Sequence, residues 1–455
     1  MHAMVHWWPL FVALLGRSRS HLGIKNVSGI TNLNAGAPII LQQNSEEVDT
    51  IYCSSDSTTI AVVAINATTG ELVDVRQVIE NAPNPDELKA GGPGGVGTEW
   101  ISMHPNRRIC YALTSYWGTR PVVLVTYRIH DDGLLEKIGS SDIHGCYQAC
   151  HASFSPDGCT YVVASLISGS VHVFDCDTED ALTSAVQIIK LPESEKGNRL
   201  PPSEIQLSYR GPMCHQAIYS PNAKYLIAVD VSQAQLLTYR TDEKGRVSTE
   251  KPAFAASIQT DIKPFGFLSW LLQKSLKGPR PRHVAIHPNG KFVYVTLELL
   301  NVLAWYGINE NGEIGAKLGE LHTLSPEFYS TLKPIGMAIN SAAEVALDEH
   351  GKFLYVSNRG LGFLFGRNEN SIVSYSVDEV TGSPTRKSQV LVTGNPRHFQ
   401  LFPNHTLIAA GCDTHLLQKF TRTADGKLIL LGVSNVKGMP SIGCFAHLSW
   451  QYCTV

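Results

Sequence analysis

One short motif returns along this chain at long intervals. It reads Ser-Pro-Asp-Gly at 155–158, Ser-Pro-Asn at 220–222, His-Pro-Asn-Gly at 287–290, Asp-Glu-His-Gly at 348–351 and Phe-Pro-Asn at 402–404, with His-Pro-Asn at 104–106 as a sixth copy. Each copy interrupts an alternating apolar run, and after each turn comes a segment such as KFVYVTLE, KFLYVSN or KYLIAVD. Val, Ile, Tyr and Phe at period two, bounded by Gly, Pro, Asn and Asp, make strands joined in hairpins. After most of these runs a further one follows, such as SGSVHVFDCD or NSIVSYSVDE. The turns lie 51 to 67 residues apart, and units of four strands at roughly 40–50 residues are propeller blades. A further unit around DTIYCSSDSTTIAVVAINATTGELV brings the total to seven. The expected fold is all-β, a single seven-bladed β-propeller over residues 21–455.

Composition narrows the partners. Lys plus Arg number 37 against 40 Asp plus Glu, so no surplus of charge points to a nucleic acid. No run of eighteen apolar residues occurs, so no membrane-spanning helix is expected. The expected partner is a small molecule, and the expected state is a monomer closed by its own ends. Propellers leave open edges unless the termini share a blade, and the final SIGCFAHLSW is the candidate closing strand.

Hairpin counting then places charge at one mouth of the channel. Residues equidistant from an antiparallel turn are neighbours, and Arg282 and Glu298 flank Gly290 symmetrically. The same count gives His215 with Val231, Ala343 with Arg359, Arg397 with Asp413, Cys150 with Leu166 and Glu99 with Ser115. Equivalent positions on successive blades form a ring around one axis. Charged residues at strand ends also often pair and stay solvated, and that competing reading is weakest for His215, Arg282, Glu298 and Arg359 taken together.

The stretches PRHVAIHPNGKFVYVTLE, GKFLYVSNR and NPRHFQLFPN resemble the propeller family that includes bacterial 6-phosphogluconolactonase and the fungal 3-carboxy-cis,cis-muconate cyclase. The resemblance covers the chain from about residue 90 onward and is nearer to the cyclase, whose active-site histidine, two arginines and glutamate fall on His215, Arg282, Arg359 and Glu298. In GPMCHQA, Met213 stands where the lactonase branch carries the first histidine of Pro-His-x-His. Fungal hetero-Diels–Alderases of tropolone–sesquiterpenoid pathways are also similar. The resemblance implies a cyclase or cycloisomerase that closes a ring on a small unsaturated organic substrate by acid/base and arginine-assisted chemistry. The alternatives are a pericyclase, a lactone hydrolase and a non-catalytic scaffold.

The residue types suit that chemistry. Arginine forks bind carboxylates and stabilise charge developing on oxygen, while His215 and Glu298 are candidate proton carriers. Glu298 beside Arg282 is expected to stay ionised, and His215 among arginines to stay neutral. Arg397 joins them as a substrate-binding candidate. The long insertion PAFAASIQTDIKPFGFLSWLLQKSLKGPRP, with Phe265 and Trp270, and GLGFLFGRNEN, with Phe363, supply candidate apolar contacts over the same mouth. No metal or cofactor is expected: calcium sites need converging carboxylates and amides, and no H-E-x-x-H, phosphate cradle or G-x-S-x-G elbow occurs. None of the seven tryptophans precedes an Asp, which removes the commonest scaffold signature.

The first twenty residues contain WWPLFVALLG followed by Ser18 and Ser20, a possible signal peptide. Sequons at Asn26, Asn66 and Asn404 are expected glycosylation acceptors in the secretory pathway; the alternative is the cytoplasm. Ten cysteines are present. Cys150 and Cys214 are candidate free core thiols, and Cys444 with Cys453 a candidate bridge.

Overall fold

A computed structural model describes residues 47–55, 57–81, 96–116, 120–193, 211–263, 279–331, 340–360, 369–402, 404–437, 439 and 442–447. They form seven four-stranded antiparallel sheets. In blades two to seven the chain enters along the innermost strand and meanders outward. Those inner strands are Gly97–Met103, Ala149–Phe154, Cys214–Tyr219, Pro281–Ile286, Asn340–Leu347 and His398–Phe402. Blade one is different: its inner strand, Cys444–His447, comes from the C-terminal end and pairs with Val48–Ser54. Ile51 faces His447 and Ser54 faces Cys444 in that ladder. The ring is therefore closed by backbone hydrogen bonds, as the edge argument requires.

The repeated turn joins the first and second strand of blades two to seven, and its chemistry is local. Ser155 Oγ accepts from Thr160 N at 2.9 Å and Asp157 Oδ1 from Cys159 N at 3.0 Å. The fourth position is left-handed: φ is 75° at Gly158, 70° at Gly290 and 72° at Gly351, where only glycine avoids a steric cost. Ala223 and His405 adopt the same conformation in two of the copies that lack glycine. In the His-Pro-Asn copies, His287 Nδ1 accepts from Asn289 N while Nε2 contacts Gly351 O at 3.1 Å, stapling blade five to blade six.

Second strands are largely buried, and along their whole length in Ile109–Ser115, Tyr225–Asp230 and Phe292–Leu297. Both faces of these strands meet neighbouring blades, so their sequences read as continuous rather than alternating apolar runs. Outer strands keep one solvent face; Leu72–Glu80 alternates accordingly. Apolar clusters lie between successive blades, for example Val229, Val284, Val295 and Val302 between blades four and five. Among the described residues no helix is long and apolar enough to cross a membrane.

The symmetric hairpin count needs a correction in each of blades two to seven. Glu298 N bonds Arg280 O, not the backbone of Arg282. Ser341 faces Arg359, Gly97 faces Ser115, Leu166 N bonds Gln148 O, Val231 N bonds Met213 O and Cys412 N bonds Asn395 O. In blades two to six the partner lies upstream because the inner strand carries an extra residue, whereas the regular ladder of blade seven centres on Asn404 rather than His405. Pairing skips Glu99, Cys150 and His215, and slips across Arg282–His283 and Ala343–Glu344. These are β-bulges, which bend a strand and re-aim its side chains.

Candidate active site

The bulged residues are the ring that hairpin counting picked out, although not for the reason the count assumed. A bulge takes its residue out of the ladder, and in this propeller it does so at equivalent positions of adjacent inner strands. Glu99, Cys150, His215, Arg282 and Ala343 sit at the bulges, and Arg397 precedes its strand at the corresponding place in blade seven. All but Arg397 are buried.

Glu298 organises the cations. It leaves the second strand of blade five and opens a short 3-10 turn, Glu298–Leu300. Its Oε1 lies 2.6 Å from Arg359 Nη2 and 3.2 Å from Ser341 Oγ, and the same Nη2 lies 3.0 Å from that hydroxyl. Arg282 Nε is 3.7 Å from the same oxygen, an ion pair too long for a hydrogen bond. Arg282 therefore keeps Nε and Nη1 buried without a hydrogen-bond partner, and Arg359 keeps Nε. Burial raises the Glu298 pKa, but Arg359, Arg282 and Arg280 together outweigh it and hold the carboxyl below its usual range. The glutamate is ionised, as expected.

His215 is neutral, also as expected. Burial lowers its pKa well below the usual imidazole value, and Arg282, His283, Arg397 and Arg359 push it further. Its Nδ1 is buried without a partner. The quartet of His215, Arg282, Glu298 and Arg359 thus stands together at one mouth.

Arg397 differs from the expected pairing. Its Nη2 reaches Glu99 Oε2 at 3.1 Å, crossing from blade seven to blade two, whereas Asp413 Oδ1 accepts from Asn395 N at 2.7 Å. Blade seven carries no bulge; its ladder centres on Asn404 rather than His405, which puts Cys412 N on Asn395 O and takes Asp413 away from Arg397. Phe265, Trp270, Phe363 and Asn26 lie outside the described residues. Asn66 accepts at Oδ1 from Thr68 N and Thr69 N in its turn, and Asn404 is exposed in the repeated turn at the end away from the quartet. Cys150, Cys214 and Cys444 are buried free thiols, and Cys453 lies outside the described residues.

A second tier lies one residue further along each inner strand, and sequence reasoning missed it. Glu344 accepts from His283 Nδ1 at 2.8 Å with one oxygen and from His398 Nδ1 at 3.0 Å with the other. Gln216 Oε1 accepts from Val284 N at 2.6 Å, so its amide nitrogen is the donor to His151 Nε2 at 3.3 Å. Trp100 packs on His151 and His398, and Phe445 closes the circle against His398. His283 stands edge-on to His215, ring centroids 5.0 Å apart. Burial lowers the His283 pKa to about 4 despite Glu344. Burial also lowers that of His151, with His283 adding to it. Burial raises the Glu344 pKa, but the two imidazole donors outweigh it and leave the carboxyl well below its usual value. A signal existed: Pro-Arg-His occurs twice, at 281–283 and 396–398.

At the mouth, Arg280 is a further cation beyond the expected set. It precedes Pro281 with φ at 55°, a left-handed conformation that costs a non-glycine residue about 1–3 kcal/mol. Among the described residues no group of three or more His, Cys, Asp or Glu is placed to hold a metal ion.

With carboxylate-binding guanidiniums, a neutral imidazole and an ionised glutamate in one buried ring, the site can bind an acid or an oxyanion and move one proton. The comparisons with known proteins agree in kind. The family model described as a seven-bladed β-propeller lactonase matches residues 87–261 and 272–445. The 6-phosphogluconolactonase of Bacillus subtilis is 27% identical over 336 residues, 73% of this chain and 82% of that protein. A probable 6-phosphogluconolactonase of Arthroderma benhamiae is 25% identical over 387 residues, 84% of this chain and 83% of that one. In fold, the periplasmic gluconolactonase of Pseudomonas aeruginosa superposes with a TM-score of 0.66 at 20% identity, covering 89% of this chain and 99% of that one. This chain belongs to the seven-bladed β-propeller lactonase family.

Proposed function

We propose that the chain hydrolyses a lactone at the mouth of its channel. The observation that carries this reading is the juxtaposition of a buried neutral imidazole, His215, with a buried guanidinium, Arg282, each with nitrogens lacking a partner. Water attacks the lactone carbonyl while His215 takes its proton. Arg282, helped by Arg359, stabilises the oxyanion as it forms. The ring C–O bond then breaks, and the imidazolium returns its proton to the departing alkoxide. One water is consumed and a hydroxy acid is released, its carboxylate matched to the same arginines. Glu298 stays ionised and holds the guanidiniums in place. The relatives named as lactonases support the same reaction class.

A second reading is ring closure, in which the substrate's own carboxylate adds to an alkene and His215 delivers the proton. Met213 favours it, since it occupies a place where the lactonase branch carries histidine and its side chain cannot exchange a proton. A pericyclic variant would draw on Phe265, Trp270 and Phe363.

The test is turnover by the purified chain of a panel of lactones and of unsaturated di- and tricarboxylates. Opening of a lactone that is lost in His215→Asn and Arg282→Gln, with folding retained, is the expected result. If no lactone opens and an unsaturated acid is cyclised, the second reading replaces the first. We also propose passage through the secretory pathway as a glycosylated monomer, from the sequons at Asn66 and Asn404. Secretion from a eukaryotic host followed by an unchanged mobility on endoglycosidase treatment would overturn the glycan part.

A further inference from the structure

Arg280 has a buried edge with nothing to hold. Its Nε and Nη1 are buried and have no hydrogen-bond partner. Its carbonyl accepts from Glu298 N at 2.9 Å, so its backbone lies beside Glu298, two residues nearer the mouth than Arg282. The carboxylates whose fields reach it are Glu298 and Asp230, and both are engaged elsewhere. Glu298 holds Arg359 and Ser341. Asp230 accepts from Met213 N and Ser232 N, both at 3.1 Å, and from Gln233 Nε2 at 2.6 Å.

The strain at this position has a counterpart. Gln148 stands at the equivalent place in blade three, is left-handed with φ at 61°, and buries Oε1 without a partner. Between the two, in blade four, lies Met213, which adds an apolar side chain to the same tier. Non-glycine residues persist in left-handed conformations where the surrounding structure fixes them, and such positions gather at ligand sites. A buried guanidinium without an acceptor is a cost that a bound anion removes.

We propose that Arg280 is a specificity-determining residue that takes a second anionic group of the substrate. The ligand is then an acid at both ends: one carboxylate or developing oxyanion lies at Arg282 and Arg359, and a carboxylate or phosphate lies at Arg280. The lactone reading enters only through the identity of the first group; the second group is a matter of binding and can be measured without turnover.

The experiment is calorimetric titration of the full chain with gluconate and with glucarate, chains of equal length that carry one and two carboxylates. One charge-assisted contact is expected to favour glucarate by about tenfold or more. Arg280→Gln brings that ratio close to one, Arg280→Lys restores part of it, and Arg282→Gln weakens both ligands. A thermal melt of each variant separates lost recognition from lost folding. Equal affinity for the two acids, binding of neither, or a preference that survives Arg280→Gln overturns the proposal. Loss of lactone turnover with the preference intact would instead count against the lactonase reading alone.

Discussion

Arg359 Nη2 lies 2.6 Å from Glu298 Oε1 across the boundary between blades six and five. The contact ties a residue that ends one second strand to the residue that ends the next. It is largely shielded from solvent, so its worth is decided by what happens when one partner is removed. Breaking a buried pair leaves an uncompensated charge and costs about 3–5 kcal/mol.

Glu298→Gln is therefore expected to lower stability by about 3 kcal/mol, because Arg282 and Arg359 lose the carboxylate that both face. Ser341→Ala, which removes only a hydroxyl from the same oxygen, is expected to cost about 1 kcal/mol. Denaturant melts of the two variants check the ranking. Equal losses would mean that the charge on Glu298 does not hold the site together.

For catalysis, His215→Asn is expected to lower turnover by about 10²–10⁴-fold, the usual worth of a general base. Arg282→Gln is expected to lose about 10²–10³-fold, as for removal of an oxyanion donor. Neither change touches a strand ladder, so circular dichroism should match the parent. Full activity in both variants on a turned-over substrate would remove these residues from the mechanism.

The fold was legible because its signals are local. Ser-Pro-Asp-Gly sets its own turn through Ser155 and Asp157, and Phe, Val, Tyr and Thr at Phe292–Leu297 specify a strand without reference to anything distant. Register was less legible. The bulge at Arg282 and His283 is patched from elsewhere: His283 N bonds the Thr296 hydroxyl, which also donates to Ala343 O in the next blade. Nothing in Pro-Arg-His announces an extra residue, so counting from Gly290 put Arg282 where Arg280 stands. The ring survived that error because five successive inner strands share the same insertion and Arg397 holds the corresponding place in blade seven. The tier of His151, His283, Glu344 and His398 was invisible for a related reason. Its members lie on separate blades and meet only once the ring closes.

The hub of that tier gives a stability prediction. Glu344 accepts from both His283 and His398, so Glu344→Ala leaves two imidazole donors without an acceptor in a buried place. A loss of about 2–5 kcal/mol is expected, since each buried donor left unsatisfied costs about 1–3 kcal/mol. A double-mutant cycle between His283 and Glu344 should give a coupling energy of about 1 kcal/mol or more. Additive single-variant effects would show that the hydrogen bond contributes nothing of its own.

Acid is expected to destabilise the fold from near pH 6.5 downward. Burial depresses the pKa of His151, His215, His283 and His172, the last two to about 4. Below the unfolded value of roughly 6.5 the unfolded chain binds protons that these imidazoles refuse, so stability falls with pH, at up to about 1.4 kcal/mol per unit for each group. Glu344 and Glu298, depressed below the usual carboxylate value by their cations, add to the loss below about pH 4.5. The two kinds of group act in the same direction. Melting temperature measured from pH 8 to pH 4 at constant ionic strength should be flat above 7 and fall increasingly steeply below 6.5; a rise on acidification would contradict the neutral-imidazole assignment.

Closure of the ring rests on four backbone pairs, from Ile51–His447 to Ser54–Cys444. Phe445 in that strand is buried, packs in the cluster with Ile51, Cys53 and Met439, and meets the His398 ring at 5.2 Å. Phe445→Ala is expected to cost about 3–5 kcal/mol as a buried aromatic truncation. Deleting residues 441–455 should do more, because it leaves Val48–Ser54 paired only with Thr59–Asn66, as an open edge strand, and exposes blade one to association with other chains. Size-exclusion chromatography of the truncated protein is expected to show aggregate in place of the parent species. A soluble truncation with an unshifted melting temperature would mean that the wheel holds without its C-terminal strand, and that packing between blades, rather than the shared sheet, keeps the His398 and Glu344 tier in register.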